Sequence, residues 1–287
     1  MKDGRISLKP ANCIAFQGFP GAYSHIACLT RFPKMAPLPC AGFEDAFAAV
    51  QQGKARLAMI PVDNSVAGRV ADIHYLLPHA GLFIIGEHFE RVNHHLLAIR
   101  GAKLDTLKRV ESHVHALGQC RTFIRKHRLK AIVGADTAGS ARDVAERGDP
   151  TVAAIASKLA GEIYGLKTLA SSIEDAEHNT TRFLIMSRDP AKTKPNDGPH
   201  VTSFLFRVRS VPAALYKALG GFATNGINMT KLESYMLDGT FAAAQFYAEV
   251  DGHPADRGLT LALEELRFFS KEVRILGTYP AHPHRLK

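Results

Sequence analysis

Residues Asn179-Thr180-Thr181-Arg182-Phe183 set two adjacent hydroxyls and a guanidinium at the mouth of an apolar segment, Leu184-Ile185-Met186. That grouping suits an anionic substrate that must lose an oxygen. A hydroxyl donates to the departing oxygen, and a guanidinium can pair with a carboxylate through two parallel hydrogen bonds. An aliphatic hydroxyl such as Thr181 is too weak an acid to stay ionised at neutral pH. Its part would be a preorganised hydrogen bond to developing charge, worth on the order of 3 kcal/mol. Two alternatives stay open around it. Arg182 is either a carboxylate ligand or half of a salt bridge, and Phe183, opposite it in strand alternation, is either a pocket wall or core. Taken alone, threonine in a strand is simply a good β-former.

Asp63-Asn64-Ser65 follows the apolar run Leu57 to Val62 and precedes an expected helix, so capping and anion binding at free helix amides are both open. Ser112 ends a short expected strand, and Gln119 falls inside a helix expected from about Leu117 to His127; read alone, both are ordinary capping or surface residues. His94-His95 and His113-Val114-His115 invite a metal, but no third ligand follows at a zinc spacing, so no metal is expected. Gly18-Phe19-Pro20-Gly21 has neither the glycine spacing of a dinucleotide loop nor the Lys-Ser/Thr pair of a P-loop, so no nucleotide cofactor is expected.

The Thr180-Thr181-Arg182-Phe183 segment resembles the Thr-Arg-Phe signature of prephenate dehydratases. Gly18 to His25, Ile60 to Ser65, and Glu111-Ser112-His113 followed by Gln119-Cys120 match further segments of that family in the same order. The resemblance covers residues 12 to about 279 and implies a cofactor-free lyase with Thr181 as the catalytic hydroxyl. It implies substrate contacts for Asn64, Ser65, Ser112, Gln119, Thr180, Arg182 and Phe183. The reaction would convert prephenate to phenylpyruvate; arogenate, which carries an amine in place of the keto group, is the rival substrate. A non-catalytic amino-acid-sensing protein is the alternative from another class.

The elements needed to position these residues can be read along the chain. Strand and helix patterns alternate from Cys13 to Ile155, which predicts a largely parallel sheet flanked by helices, with ligands at the carboxyl ends of strands. The extended stretches Leu82 to Glu90 and Thr180 to Ser187 are expected to cross between lobes. Together with the family resemblance this gives an α/β fold: a two-lobed, periplasmic-binding-protein-like catalytic domain over 12–187. Residues 188–199, rich in Pro and polar side chains, read as a linker. Over 200–279 the pattern is a ferredoxin-like βαββαβ unit, with a hairpin turn at Asp238-Gly239 and Pro212 in a first helical turn.

The βαββαβ unit resembles an ACT domain, which in the related enzymes binds L-phenylalanine between subunits. The segments concerned read Ala213-Ala214-Leu215-Tyr216 and Glu233-Ser234-Tyr235-Met236 here, each altered from the family's pattern. Ala213 adds a methyl where the family has glycine. Glu233, Ser234, Asn225 and Asn228 remain to hold an amino acid. Such coupling implies at least a homodimer, or a homotetramer.

Composition is that of an ordinary globular chain of 287 residues, 46% hydrophobic and 22% charged, long enough for two domains. No apolar run approaches the roughly 20 residues of a membrane helix. Met1-Lys2-Asp3-Gly4-Arg5 is not followed by an apolar h-region, so a cytoplasmic location is expected. Cys13, Cys28, Cys40 and Cys120 contain no Cys-x-x-Cys pair and are expected to stay reduced. The net charge of +9 is dispersed, which argues against nucleic acid while favouring encounter with a small dianion.

Overall fold

The computed structural model describes residues 9–209, 211–236 and 243–286. Two compact units partition the chain. One comprises the chain up to Val70 with His88–Phe183; the other comprises Ala71–Glu87 with Leu184 onward. Segment 71–87 thus groups with the C-terminal residues, a division that the composition of 188–199 does not announce. Residues 188–199 themselves carry no helix or strand.

The N-terminal part begins with β1 (Cys13–Gln17), α1 (Tyr23–Arg31), β2 (Ala36–Cys40), α2 (Phe43–Gln51), β3 (Leu57–Asn64) and β4 (Gly68–Arg69). After α3 (Ala71–Leu76) come β5 (Phe83–Arg91), β6 (His95–Ala98), β7 (Arg109–Ser112), α4 (Val114–Gln119) and α5 (Arg121–Lys126). The series closes with β8 (Lys130–Val133), α6 (Thr137–Arg147), β9 (Val152–Ala156), α7 (Lys158–Tyr164), β10 (Lys167–Ala170) and β11 (Thr180–Ser187). Two sheets result, of order β2-β1-β3-β11-β5, with β4 on β3, and β10-β6-β9-β7-β8. Their central strands are continuous apolar runs: β9 is buried throughout, as a strand covered on both faces must be.

The largely parallel sheet expected from the alternation is divided between two mixed sheets. β1 pairs β2 and β3 in parallel, and β7 pairs β8 and β9 in parallel. β6, however, runs antiparallel to both β9 and β10. β6 follows β5 of the other sheet with no helix between them, so the strand–helix alternation that predicts parallel pairing is interrupted there.

Two local expectations also change. The helix expected over 117–127 is two helices, broken at Cys120, whose φ of −119° and ψ of 26° are not helical. Asp175 fills the break: its N–H donates to the Gln119 carbonyl at 2.6 Å, and its carboxylate accepts the Thr122 N–H. Nor does a helix begin at Asn64, because β3 turns directly into β4.

The C-terminal domain runs β12 (His200–Val208), α8 (Ala214–Thr224), β13 (Met229–Met236), β14 (Ala243–Asp251), α9 (Arg257–Phe269) and β15 (Ser270–Pro280). Its antiparallel sheet has the order β13-β14-β12-β15, the ferredoxin-like βαββαβ topology. Alternation sorts its faces. Phe204, Phe206, Phe246, Ala248 and Val250 meet Ala218 and Phe222 of α8 and Leu259, Ala262, Leu263 and Leu266 of α9 in one core. The other face carries buried Tyr247, Glu249 and Tyr279. Segment 71–87 and the C-terminal residues are bound there: Gly277 lies against the Ile84 carbonyl where no Cβ would fit, and Arg285 pairs with Glu87 and Glu249, each at 2.7 Å.

Pro212 lies before α8 rather than in its first turn, because Ala213 takes a left-handed conformation, φ 59° and ψ 17°, at the N-cap. For a residue with a Cβ that conformation costs roughly 1 to 2 kcal/mol. The hairpin expected at Asp238-Gly239 lies outside the described residues. Among the described residues no helix is long and apolar enough to cross a membrane.

Candidate active site

Period-two alternation on β3 and β11 separates four neighbouring side chains into two pairs. On one face Asn64 Nδ2 donates to Thr181 Oγ1 at 3.0 Å and to Asn179 Oδ1 at 2.8 Å. On the other, Arg182 Nη1 meets Asp63 Oδ2 at 3.4 Å, with the arginine side chain only 9% exposed. Of the two alternatives for Arg182, the geometry shows the salt bridge. A substrate carboxylate would have to compete with Asp63 for it.

The orientation of the Asn64 amide is fixed from the backbone. The N–H groups of Val66 and Ala67 both donate to Asn64 Oδ1, at 3.0 and 2.7 Å, and backbone amides can do nothing else. The Asn64 NH2 therefore faces Thr181. Thr181 Oγ1 accepts that bond, its own hydrogen is left for another acceptor, and the residue is partly open to solvent. A neutral donor held this way can stabilise charge on a departing oxygen without itself being ionised.

Gln119 completes the cluster from the second sheet. It is the last residue of α4, and the Asp175 plug holds its carbonyl. Its Nε2 donates to Asn64 Oδ1 at 3.3 Å, and its Oε1 accepts from Asn179 Nδ2 at 3.0 Å. Asn64, Gln119, Asn179 and Thr181 are thus one network of neutral groups.

Four further residues expected at the site stand differently. The Ser65 hydroxyl donates to the His178 carbonyl at 2.7 Å and accepts the Thr180 N–H at 2.9 Å. Ser65 N–H donates to the Thr180 carbonyl, so Ser65 and the Thr180 backbone lace β3 to β11. Ser112 is fully buried, and its single hydrogen goes to the Ile155 carbonyl at 2.5 Å, which removes it from the polar cluster. Strand alternation alone could not show this, because Ser112 faces the adjacent strand β9. Phe183 is 1% exposed and packs beside the His88 ring, which places it in the core.

Sequence reasoning missed Tyr23, His94 and Glu174. Tyr23 opens α1 after the loop 18–21, which the second sheet's helices pin in place: Ser157 Oγ donates to the Gly21 carbonyl and Tyr164 to that of Pro20. Gly21 has φ 91°, and a Cβ there would lie 2.6 Å from Ala160 Cα, so only glycine allows the approach. The Tyr23 hydroxyl reaches the Asn93 carbonyl at 2.6 Å and His94 Nδ1 at 3.0 Å, while His94 Nε2 lies 2.9 Å from Gln119 Oε1. Glu174 accepts the His94 N–H at 2.8 Å. Burial lowers the His94 pKa and raises those of Tyr23 and Cys120, so the ring, the phenol and the thiol are neutral. The sequence reading weighs His94 only as a metal ligand. Among the described residues no group of three His, Cys, Asp or Glu side chains could hold a metal; His113 instead caps α4.

The residues expected to bind an amino acid fall into two groups. Ala213, Ala214 and Leu215 stand at the start of α8, and Asn225 at its far end, about 16 Å away at 1.5 Å per residue. Asn225 donates to the Gly221 carbonyl and to Glu265, and Asn228 to Asp251. On β13, Glu233 lies 3.7 Å from Lys231 on one face, and Ser234 points to the other.

A model of the prephenate dehydratase family matches residues 14–191. Over 96% of this chain and 98% of its own length, a bifunctional N-acyl-homoserine lactone acylase/prephenate dehydratase of Komagataeibacter europaeus is 53% identical. An arogenate dehydratase/prephenate dehydratase of Arabidopsis thaliana is 39% identical over 93% of this chain and 71% of its own. The crystal structure of prephenate dehydratase from Arthrobacter aurescens in complex with L-Phe superposes with a TM-score of 0.85 at 31% identity, covering 94% of this chain and 90% of that one. The ordered polar network of Asn64, Gln119, Asn179 and Thr181 and these likenesses agree: the chain belongs to the prephenate dehydratase family.

Proposed function

We propose that the protein converts prephenate to phenylpyruvate, with Thr181 as the catalytic hydroxyl. The ring carboxylate departs as carbon dioxide, its bonding electrons enter the ring, and the ring C–O bond breaks with its electrons on oxygen, which leaves as water after taking up a proton. Aromatisation drives the step, so assistance to the departing oxygen is what remains to be supplied. One observation carries this reading: Thr181 Oγ1 is obliged to accept from Asn64, which leaves its hydrogen free to donate.

Phenylpyruvate formation by the purified protein tests it. Thr181→Ala should lower kcat by about a hundredfold, the scale of one lost preorganised donor; a loss under tenfold would remove Thr181 from this role. Arogenate is assayed beside prephenate, since one polar contact separates the two. The 53% identity to a bifunctional relative favours a second reading, amide hydrolysis of an N-acyl-homoserine lactone, and release of homoserine lactone in the same series tests that.

The C-terminal domain fits an ACT-type effector site for L-phenylalanine shared between two copies. The distance between the start of α8 and Asn225 in one chain supports a site completed by a second copy. A homodimer or homotetramer that binds phenylalanine and loses activity is expected; gel filtration and assays across phenylalanine concentrations test both.

A further inference from the structure

The hydrogen-bond directions around Thr181 can be followed outward, and each is fixed by the one before. Asn64 Nδ2 donates to Asn179 Oδ1, so the other end of that amide, Nδ2, donates to Gln119 Oε1. Gln119 Oε1 is then an acceptor, and His94 Nε2, 2.9 Å away, must carry a hydrogen. In a neutral ring the lone pair is left on Nδ1, 3.0 Å from the Tyr23 oxygen, so the one phenolic hydrogen is shared between that nitrogen and the Asn93 carbonyl 2.6 Å away. The opposite tautomer would leave the Tyr23 hydrogen wholly to Asn93 but would set two lone pairs against each other at Gln119, a repulsion that would turn the Gln119 amide over. Two backbone N–H groups at Val66 and Ala67 thus dictate the state of an imidazole four residues down the chain of bonds.

We propose that His94 is a positioning residue for the dehydration: in the Nε2–H form it locks Gln119 and through Asn179 and Asn64 aims the Thr181 hydrogen. The inference rests on the dehydratase reading of Thr181. The main chain at His94 is held independently, since its N–H donates to Glu174 and its carbonyl accepts from Ile173 N–H. A substitution that removes the ring donor therefore leaves that backbone anchored.

Nitrogen-detected NMR of the histidine-labelled, unsubstituted protein at neutral pH reads the tautomer without any turnover. His94 should show a protonated Nε2 and a bare Nδ1; the reverse pattern overturns the proposal whatever the enzyme's activity. In kinetics, His94→Leu should lower kcat by about tenfold to a hundredfold with KM within about twofold, the effect of a misaimed rather than a missing group. His94→Gln can place an N–H where Nε2 was and should recover kcat to within about threefold of the parent, on the same reasoning about alignment. Full kcat in His94→Leu, or no recovery in His94→Gln, would also overturn it. If the parent fails to make phenylpyruvate, the function has failed; if the parent turns over and these variants do not separate, only the positioning role has.

Discussion

The Asn64 Nδ2 lies 3.0 Å from the Thr181 hydroxyl oxygen, and its donor character is imposed by Val66 and Ala67 rather than chosen by Thr181. Asn64→Asp keeps the acceptor for both backbone N–H groups but sets a second carboxylate oxygen against the hydroxyl. The Thr181 hydrogen must then turn to Asn64's replacement and is lost to the substrate. kcat should fall by about a hundredfold, as for loss of a preorganised donor, with the fold retained. Parallel steady-state kinetics and thermal denaturation check this, and a kcat near the parent value would contradict the assigned direction.

Arg182 separates a stability role from a binding role. Its guanidinium is nearly buried beside Asp63, which keeps 28% of its side-chain exposure. Arg182→Gln should destabilise the protein by about 2 to 3 kcal/mol, somewhat under the loss seen when one partner of a fully buried pair is removed. Urea denaturation measures that. A substitution that left stability unchanged and raised KM severalfold would instead make Arg182 a carboxylate ligand.

Much of this arrangement is legible in the sequence. The apolar runs of β1, β3 and β9, the polar break before β12 and the βαββαβ pattern each follow from periodicity over a handful of adjacent residues. Asn64, Gln119 and Thr181 come from short segments in a fixed order. What escapes is the chemistry decided by distant partners. Whether the Ser112 hydroxyl is free depends on Ile155, across a strand pairing that no local pattern shows. The break at Cys120 depends on Asp175, and the state of His94 depends on Gln119 and Tyr23. The grouping of segment 71–87 with the C-terminal domain likewise rests on contacts made some 200 residues later, as between Glu87 and Arg285, |i−j| of 198.

His25 carries an acid sensitivity. Its ring stacks on Phe16, and Nδ1 accepts the Gly21 N–H at 2.9 Å, which only an unprotonated nitrogen can do. Burial lowers the His25 pKa from its ordinary 6.5, so the unfolded chain takes up the proton first as pH falls. Stability is therefore full above about pH 6.5 and declines as pH drops from there toward the lowered folded pKa. His25→Asn offers an oxygen near the place of Nδ1 that does not titrate, and should flatten the decline by about 1 kcal/mol, the worth of one hydrogen bond. Thermal melts of parent and variant from pH 7 to 5 compare the slopes; identical slopes would mean that His25 does not set the acid limb.

Arg285 joins two carboxylates that are themselves almost wholly buried. Its Nε and Nη2 lie 2.7 Å from Glu87 and Glu249, whose side chains are 0% and 1% exposed, and Tyr247 donates to Glu249 at 2.6 Å. The His282 N–H adds a bond to Glu87 at 3.1 Å. Without the guanidinium two buried negative charges would remain inside the C-terminal unit without the cation they share. Arg285→Ala should therefore cost about 3 kcal/mol or more. A lysine has one ammonium where the guanidinium has a fork, so Arg285→Lys should recover only part of it. Chemical denaturation of both variants at pH 7 measures this; equal stability of Arg285→Ala and the parent would show that the two carboxylates do not need the arginine.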